Sequence, residues 1–256
     1  LPIEHDSKVL DTSCGSGGFL LYALDKIRNK ATELYPRHVN DTKQFKHWFA
    51  YWHDFAEKNL YGIDISEQIS RAAKMNMIIH DDGHTNVITS DGLLSDETII
   101  TKTNNQGFKY GTFDFIITNP PFGSTIRQSE KTYLKNYQLG RKEEDWLAAV
   151  TPPQNARDGQ STEVLFIEQD YKFLKEGGYL AIVIPDGILT NSSMQYVRTQ
   201  IEDWFRIIAV VSLPQTAFMA NGAGVKSSVL ILKKWTNKEV EQLVRAKEKI
   251  KARLLS

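Results

Sequence analysis

The sequence predicts an α/β protein with a doubly wound sheet, and three observations predict it. Short apolar runs of strand length alternate with longer segments of helical periodicity. A glycine-rich turn joins the first run to the first helix. The most apolar run, Phe113 to Thr118, is broken by Asn119-Pro120-Pro121, because proline fixes φ and removes a ladder donor. Alternation of this kind builds a parallel sheet with helices on its faces.

Taken in order, Lys8 to Asp11 is a short strand, and an apolar helix starts near Gly17 and runs past Ile27. Asp41 to Lys58 is a second helix, because Phe45, Trp48, Phe49, Trp52 and Phe55 recur at helical spacing. Leu60 to Asp64 is a strand, and Ser66 with Glu67 opens a helix carrying Ile69, Ala72, Ala73, Met77 and Ile78. Asn86 to Thr89 and Phe113 to Thr118 are strands. Residues 123–160 are polar and aperiodic and are expected to form a long loop. Thr162 to Lys175 is a helix expected to end at Gly177-Gly178 with a left-handed cap. Tyr179 to Ile184, Ile207 to Ser212 and Ser227 to Leu232 are strands, and Lys238 to Leu255 is a charged helix. The expected division is a catalytic domain over 1–235 and a charged helix over 236–256. Beginning at Leu1 and ending in that helix, the sequence reads as a fragment.

The 256 residues are 41% hydrophobic and 24% charged, which excludes disordered and low-complexity classes. Lys+Arg and Asp+Glu are both 31, so nucleic-acid contact has to come from local patches or a partner. The single cysteine, Cys14, excludes an intramolecular disulfide and all-cysteine metal sites. With no apolar run of membrane-spanning length and no signal peptide, a cytoplasmic setting without membrane contact is expected.

Four segments carry chemistry. Asp11-Thr12-Ser13-Cys14-Gly15-Ser16-Gly17-Gly18-Phe19 lies at the carboxyl end of the first strand, where open α/β sheets bind ligands. Glycine lets backbone approach a ligand, and free N–H groups at a helix start can face a carboxylate. The cluster alone also suits a plain strand–helix turn. Leu20 stands where a dinucleotide fingerprint needs a small residue, and the P-loop lysine is missing. An adenosine-bearing ligand without pyrophosphate fits better. Asp64 ends the next strand, where an acid accepts from ribose hydroxyls; it serves equally as a helix cap. Asp91, before Gly92, can bond an adenine amine or can simply shape a turn.

The fourth segment is Asp114 to Phe122, ending in Asn119-Pro120-Pro121-Phe122. The exocyclic nitrogen of adenine is a poor nucleophile because its lone pair is conjugated into the ring. The Asn119 side-chain oxygen and the Pro120 carbonyl can accept its two hydrogens, favouring tetrahedral geometry and stabilising the charge that develops as nitrogen attacks a methyl group. Phe122 can stack on a base taken out of the duplex. Without the upstream loop this would be a structural turn. Weaker features have plainer readings. His80-Asp81-Asp82-Gly83-His84 is a capping loop rather than a metal cluster, and the 41–58 aromatics are a packing face rather than a base platform. Lys131, Lys135, Arg141 and Lys142 lie in a loop that is solvated or touches a phosphate backbone. Arg245, Lys247, Lys249, Lys251 and Arg253 form a solvated helix face, and Cys14 is a small buried residue.

Together these segments resemble the S-adenosylmethionine-dependent N6-adenine DNA methyltransferases, above all the modification (methylase) subunit of type I restriction–modification systems. Asp11 to Phe19 resembles that family's cofactor loop, with Thr12 where proline is usual, and Asn119-Pro120-Pro121-Phe122 resembles its catalytic motif. The similarity continues through Phe166-Ile167-Glu168, Leu174 to Gly178, Ile184 to Gly187, Ser212-Leu213-Pro214 and Gly224 to Ser228, covering about residues 8 to 235.

The resemblance implies a Rossmann-like class I methyltransferase fold, with a seven-stranded, mostly parallel sheet whose last strand is antiparallel. It implies S-adenosylmethionine as cofactor, held by Asp11, Ser13, Gly15, Ser16, Gly17 and Gly18, by Asp64 at the ribose with Ile65 beside it, and by Asp91 near the adenine with Gly92. Asn119, Pro120, Pro121 and Phe122 would hold the target adenine, with no metal. The implied partners are double-stranded DNA, a specificity subunit that reads the site, and a restriction subunit. Two other readings stay open: methylation of another planar amine or amide, such as ribosomal guanine N2 or protein glutamine, and a catalytically idle module that assembles a DNA-recognition complex.

Overall fold

A computed structural model describes residues 1–80, 86–127, 132–141, 157–218 and 224–254. Among them, seven strands form one sheet in the order β3 (Asn86–Thr89), β2 (Leu60–Asp64), β1 (Val9–Asp11), β4 (Phe113–Thr118), β7 (Leu174–Pro185), β9 (Ser227–Lys234) and β8 (Phe205–Ser212), and two short strands pair separately. The chain forms two compact units, 1–119 with 172–181, and 120–171 with 182–256.

In the first unit, β1 (Val9–Asp11) lies between β2 (Leu60–Asp64) and β4 (Phe113–Thr118), parallel to both, and β3 (Asn86–Thr89) pairs in parallel with β2. The chain moves outward from β1 to β2 to β3 and then returns to β4 on the other side of β1. The carboxyl ends of β1 and β4 therefore flank a topological switch point, the usual ligand crevice of such sheets. Helix α1 (Gly18–Leu34) buries Leu20, Leu24, Ile27 and Ala31 on one stripe. Trp52 and Phe55 of α2 (Thr42–Asn59) and Ala73 and Met77 of α3 (Glu67–Ile79) join the same core with Val9, Leu60 and Val87. Asp41 caps α2 and Ser66 caps α3, each accepting from backbone N–H groups of the first turn. The core is tight at β2: a Cβ on Gly62 would stand 2.8 Å from Leu20 Cδ1 and 3.1 Å from Cys14 Sγ.

The sequence pattern misses α4 (Asp96–Thr103), capped by Ser95, and in the second unit it misses the helices Asp186–Thr190 and Gln195–Trp204. It also misplaces a boundary between helix and strand. Helix α5 (Thr162–Phe173) stops before Lys175, and β7 (Leu174–Pro185) begins at once. The Lys172 and Phe173 carbonyls accept from the Gly111 and Thr112 amides, which draws the chain into extended form. Gly177, at φ +71°, lies within the strand rather than capping the helix. Gly178 answers a different need, since a Cβ there would stand 3.0 Å from the Asp114 carbonyl oxygen.

In the second unit, the span expected to be a long loop contains β5 (Thr125–Arg127) and β6 (Gly159–Ser161), an antiparallel pair, and a 3₁₀ turn at Thr132–Asn136. Val164, Leu165, Phe166 and Ile167 of α5 are buried. After β7 come α6 (Asp186–Thr190), α7 (Gln195–Trp204), which buries Val197, Ile201 and Trp204, then β8 (Phe205–Ser212) and β9 (Ser227–Lys234). β8 and β9 are antiparallel, with an irregularity between Ile207 and Ala209. The chain closes with α8 (Asn237–Leu254), where Lys247 pairs with Asp203 and Arg245 lies 3.7 Å from Glu241. No helix of the described residues is long and apolar enough to cross a membrane.

Candidate active site

The glycine turn begins where β1 ends. Asp11 is 2% exposed. Its carboxylate accepts from the Ser13 amide at 3.1 Å and from the Thr118 hydroxyl. Burial pushes the carboxyl up to about 7, and the nearby charge of Asp64 adds to the rise. Such a carboxylate is poised to ionise fully once a cation lies beside it.

Two glycines make the turn possible. Gly15 (φ +54°) and Gly17 (φ +86°) are left-handed, where a side chain would be strained. The Cys14 amide donates to the Ile63 carbonyl at 2.8 Å, and the Gly17 amide to the Cys14 carbonyl at 2.8 Å. The Gly15 amide donates to Asp64 Oδ2 at 3.0 Å, while Asp64 Oδ1 accepts from the Ser66 amide at 2.8 Å. Asp64 thus joins the turn to the end of β2, and each oxygen keeps a lone pair for a further donor. Ile65, beside it, is 68% exposed, an apolar surface of the kind a purine covers.

Beyond β3, Asp91 Oδ1 accepts from the Leu93 amide at 3.0 Å, and the Asp91 carbonyl accepts from the Leu94 amide at 3.2 Å. Asp91 therefore shapes its turn. Ser90 ties that turn to the site, its amide donating to the Asp64 carbonyl at 3.0 Å.

The end of β4 is fastened to the glycine turn by Thr118, a residue to which the sequence reading assigns no role. Fully buried, it places its hydroxyl 2.7 Å from Ser13 Oγ and 3.3 Å from Thr12 Oγ1. Asn119 comes next and ends the first unit along the chain. Its Oδ1 is buried and finds no hydrogen-bond partner among the described residues. A buried carboxamide oxygen left unpaired is costly, so this acceptor stands open to a donor that the described residues do not supply.

Pro120, Pro121 and Phe122 follow as the first residues of the second unit. Pro120 is buried, Pro121 exposed and Phe122 half-buried. The Phe122 ring meets Phe218 edge to face, with centroids 6.1 Å apart. Phe218 follows β8 far along the chain, and nothing local in the sequence links it to Phe122.

S-adenosylmethionine carries an ammonium, a sulfonium and a ribose diol, and the first unit suits all three. The space beside Gly15 and Gly18 is open, since a Cβ on either would meet nothing within 4 Å. Asp11 and Asp64 supply negative charge. Gly17 is buried, and Ser16 is exposed at the helix start.

The weaker sequence features fall into structural roles. Cys14 is buried, and burial drives its thiol far above the ordinary range, which leaves it inert. His80 caps α3, with its ring nitrogen Nδ1 2.7 Å from the Asn76 carbonyl oxygen; residues 81–84 lie outside the described residues. On the aromatic helix, Trp52 and Phe55 are buried, Arg28 stacks over Trp52, and Trp48 Nε1 donates to Thr32 Oγ1 at 3.0 Å. Lys135 and Arg141 are exposed, and Lys131 and Lys142 lie outside the described residues.

Residues 2–253 match the family model described as N-6 DNA Methylase. The type II restriction enzyme and methyltransferase RM.BcgI of Heyndrickxia coagulans is 25% identical over 90% of this chain and 28% of its own length. The type I restriction enzyme EcoEI methylase subunit of Escherichia coli is 23% identical over 88% of this chain and 38% of its own. Among solved structures, a Listeria monocytogenes protein assigned as a class I S-adenosylmethionine-dependent methyltransferase aligns with a TM-score of 0.60 at 20% identity, over 90% of this chain and 54% of that one. The chain thus spans about a quarter to two-fifths of the length of these curated relatives. Its sheet has the class I methyltransferase form, seven strands and mostly parallel with one antiparallel strand, as the sequence leads one to expect. Because that family model matches residues 2–253, nearly the whole chain, the chain belongs to the N-6 DNA Methylase family.

Proposed function

We propose that the protein carrying this chain transfers a methyl group from S-adenosylmethionine to N6 of a flipped-out adenine in double-stranded DNA. It would do so as the cytoplasmic modification component of a type I restriction–modification system, alongside a specificity and a restriction subunit. The observation that carries this reading is the buried Oδ1 of Asn119, unpaired among the described residues and one residue beyond the Thr118 hydroxyl that bonds the glycine turn.

The cofactor supplies an electrophilic methyl group. Asp11 lies at the turn to receive a cationic group, and Asp64 to accept from a ribose diol. Ile65, Asp91 and Gly92 border the adenine side, and Ser13, Ser16, Gly17 and Gly18 give the turn its backbone and hydroxyl contacts. Asn119 Oδ1 and the Pro120 carbonyl would accept hydrogen bonds from the two amino hydrogens of the target base, which localises its nitrogen lone pair. As the N6–methyl bond forms, the sulfonium S–methyl bond breaks to leave a thioether, and the surplus N6 proton is lost to water. Pro121 stiffens the turn, and Phe122 stacks on the extruded ring. Preorganised acceptors aimed at developing positive charge are the largest expected contribution.

The test is transfer of labelled methyl from S-adenosylmethionine to DNA by the full protein with its partner subunits, compared with Asn119→Ala. Label at adenine N6 that disappears in the variant supports the reading. Label on RNA or protein but never on DNA overturns it.

A further inference from the structure

The segment after Asn119 holds two prolines, an aromatic and a glycine. Proline fixes φ at Pro120 and Pro121. Phe122 and Gly123 carry no such restraint, and Gly123 takes φ +77°. A single residue far along the chain closes this segment on both sides of these two residues. Thr162, 7% exposed, stands where β6 passes into α5. Its hydroxyl is 2.8 Å from the Pro121 carbonyl oxygen, 3.3 Å from the Ser124 carbonyl oxygen and 3.3 Å from Glu163 Oε2. A hydroxyl has one proton to donate, and the shortest contact takes it. The Ser124 carbonyl has its own donor, the Thr162 amide, at 2.9 Å. The β5–β6 pairing, with Thr125 opposite Ser161, continues the closure.

We propose that Thr162 is a positioning residue for base stacking: by holding the Pro121 carbonyl on one side and the Ser124 carbonyl on the other, it fixes the orientation of the Phe122 ring. This rests on the reading of Phe122 as the residue that stacks on the target base. Thr162 touches neither base nor cofactor; it acts through the backbone that carries Phe122.

Thr162→Val keeps the shape and the amide bond but removes the hydroxyl. In the full protein with its partner subunits, kcat for DNA methylation falls about 10- to 100-fold, while KM for S-adenosylmethionine and its binding constant stay at wild-type values. Thr162→Ser, which restores the hydroxyl, recovers most of the rate. In a Phe122→Ala background, Thr162→Val adds little, because the two residues act in series. Should Thr162→Val fail to fold, Thr162→Ala enters the same cycle. The proposal is overturned by an unchanged kcat, by a serine variant no faster than valine, or by full additivity with Phe122→Ala. If the wild-type protein shows no Asn119-dependent DNA methylation, the functional reading itself fails and this inference falls with it. If that methylation is present and Thr162→Val is indistinguishable from wild type, only the inference fails.

Discussion

The Gly15 amide donates to Asp64 Oδ2 at 3.0 Å, so the first strand–helix turn and the end of the second strand are held together by one carboxylate. Because Asp64 also accepts from Ser66, removing its side chain frees two backbone donors at once. Hydrogen bonds to a charged group contribute about 1.5–3 kcal/mol each, and 1.4 kcal/mol is roughly tenfold in affinity. Asp64→Ala is therefore expected to weaken S-adenosylmethionine binding about 10- to 100-fold, with Asp64→Asn in between. Titration calorimetry reads this directly. Wild-type affinity in the alanine variant would remove Asp64 from the cofactor site.

Asp11 makes stability depend on pH in a definite direction. Its folded carboxyl stands near 7 and its reference value is 3.8. Below that window both folded and unfolded chains carry the proton, and Asp11 contributes no slope. Within it the unfolded chain ionises first, so the folded state binds more protons and stability falls as pH rises. Above about 7 the loss is complete. The slope is at most roughly 1.4 kcal/mol per pH unit. Asp11→Asn should lack this contribution, so its thermal midpoint should gain on wild type from pH 4 to 7 and hold the gain above. A constant difference across that range would show that burial does not set the Asp11 titration.

The core beside the turn has no room at β2. A Cβ on Gly62 would approach Leu20 Cδ1 to 2.8 Å. Forcing a methyl into a packed core costs about 1–3 kcal/mol, so Gly62→Ala should lower stability by that amount in urea denaturation. Combining it with Leu20→Ala should cost less than the sum of the two, because one change vacates what the other fills. Strict additivity would mean that the turn, rather than Leu20, absorbs the strain.

These relationships differ in how far the sequence discloses them. The glycine turn, Asp64 and the Asn119 motif are legible because each is a local signal: a strand end, a backbone that needs glycine, a proline stop. The alternation of strands and helices discloses a parallel sheet with helices on its faces, but not the order in which the strands pair. Two further kinds of feature are not legible. Short elements such as α4 carry too few apolar positions for a period to emerge; Ile99 is its one buried residue. Long-range contacts leave no local trace: Thr118 reads only as the end of a strand, although its hydroxyl fastens Ser13, and Phe218 is anonymous until the fold brings it to Phe122. The boundary at Phe173 is misread for the same reason. Gly177-Gly178 looks like a helix cap, while distant amides at Gly111 and Thr112 decide the conformation.

Asn119 separates function from stability most sharply. In an ordinary buried amide the oxygen is paired, and removing it costs stability. Here Oδ1 has no partner among the described residues, so the free protein bears the desolvation of an acceptor and gains no bond from them in return. Asn119→Ala should leave stability unchanged or raise it slightly, by about 0–1 kcal/mol, with the thermal midpoint unmoved or a little higher. Methyl transfer should fall by about 10²–10³ or more, the scale seen when one preorganised polar group is lost from a reacting centre. Cofactor binding should stay near wild type, because the variant retains Asp11, Gly15 and Asp64. Thermal unfolding, calorimetric binding and labelled transfer on one preparation test the combination. A midpoint lowered by several degrees would mean that the oxygen has a structural partner, and the case for a waiting substrate acceptor would be lost with it.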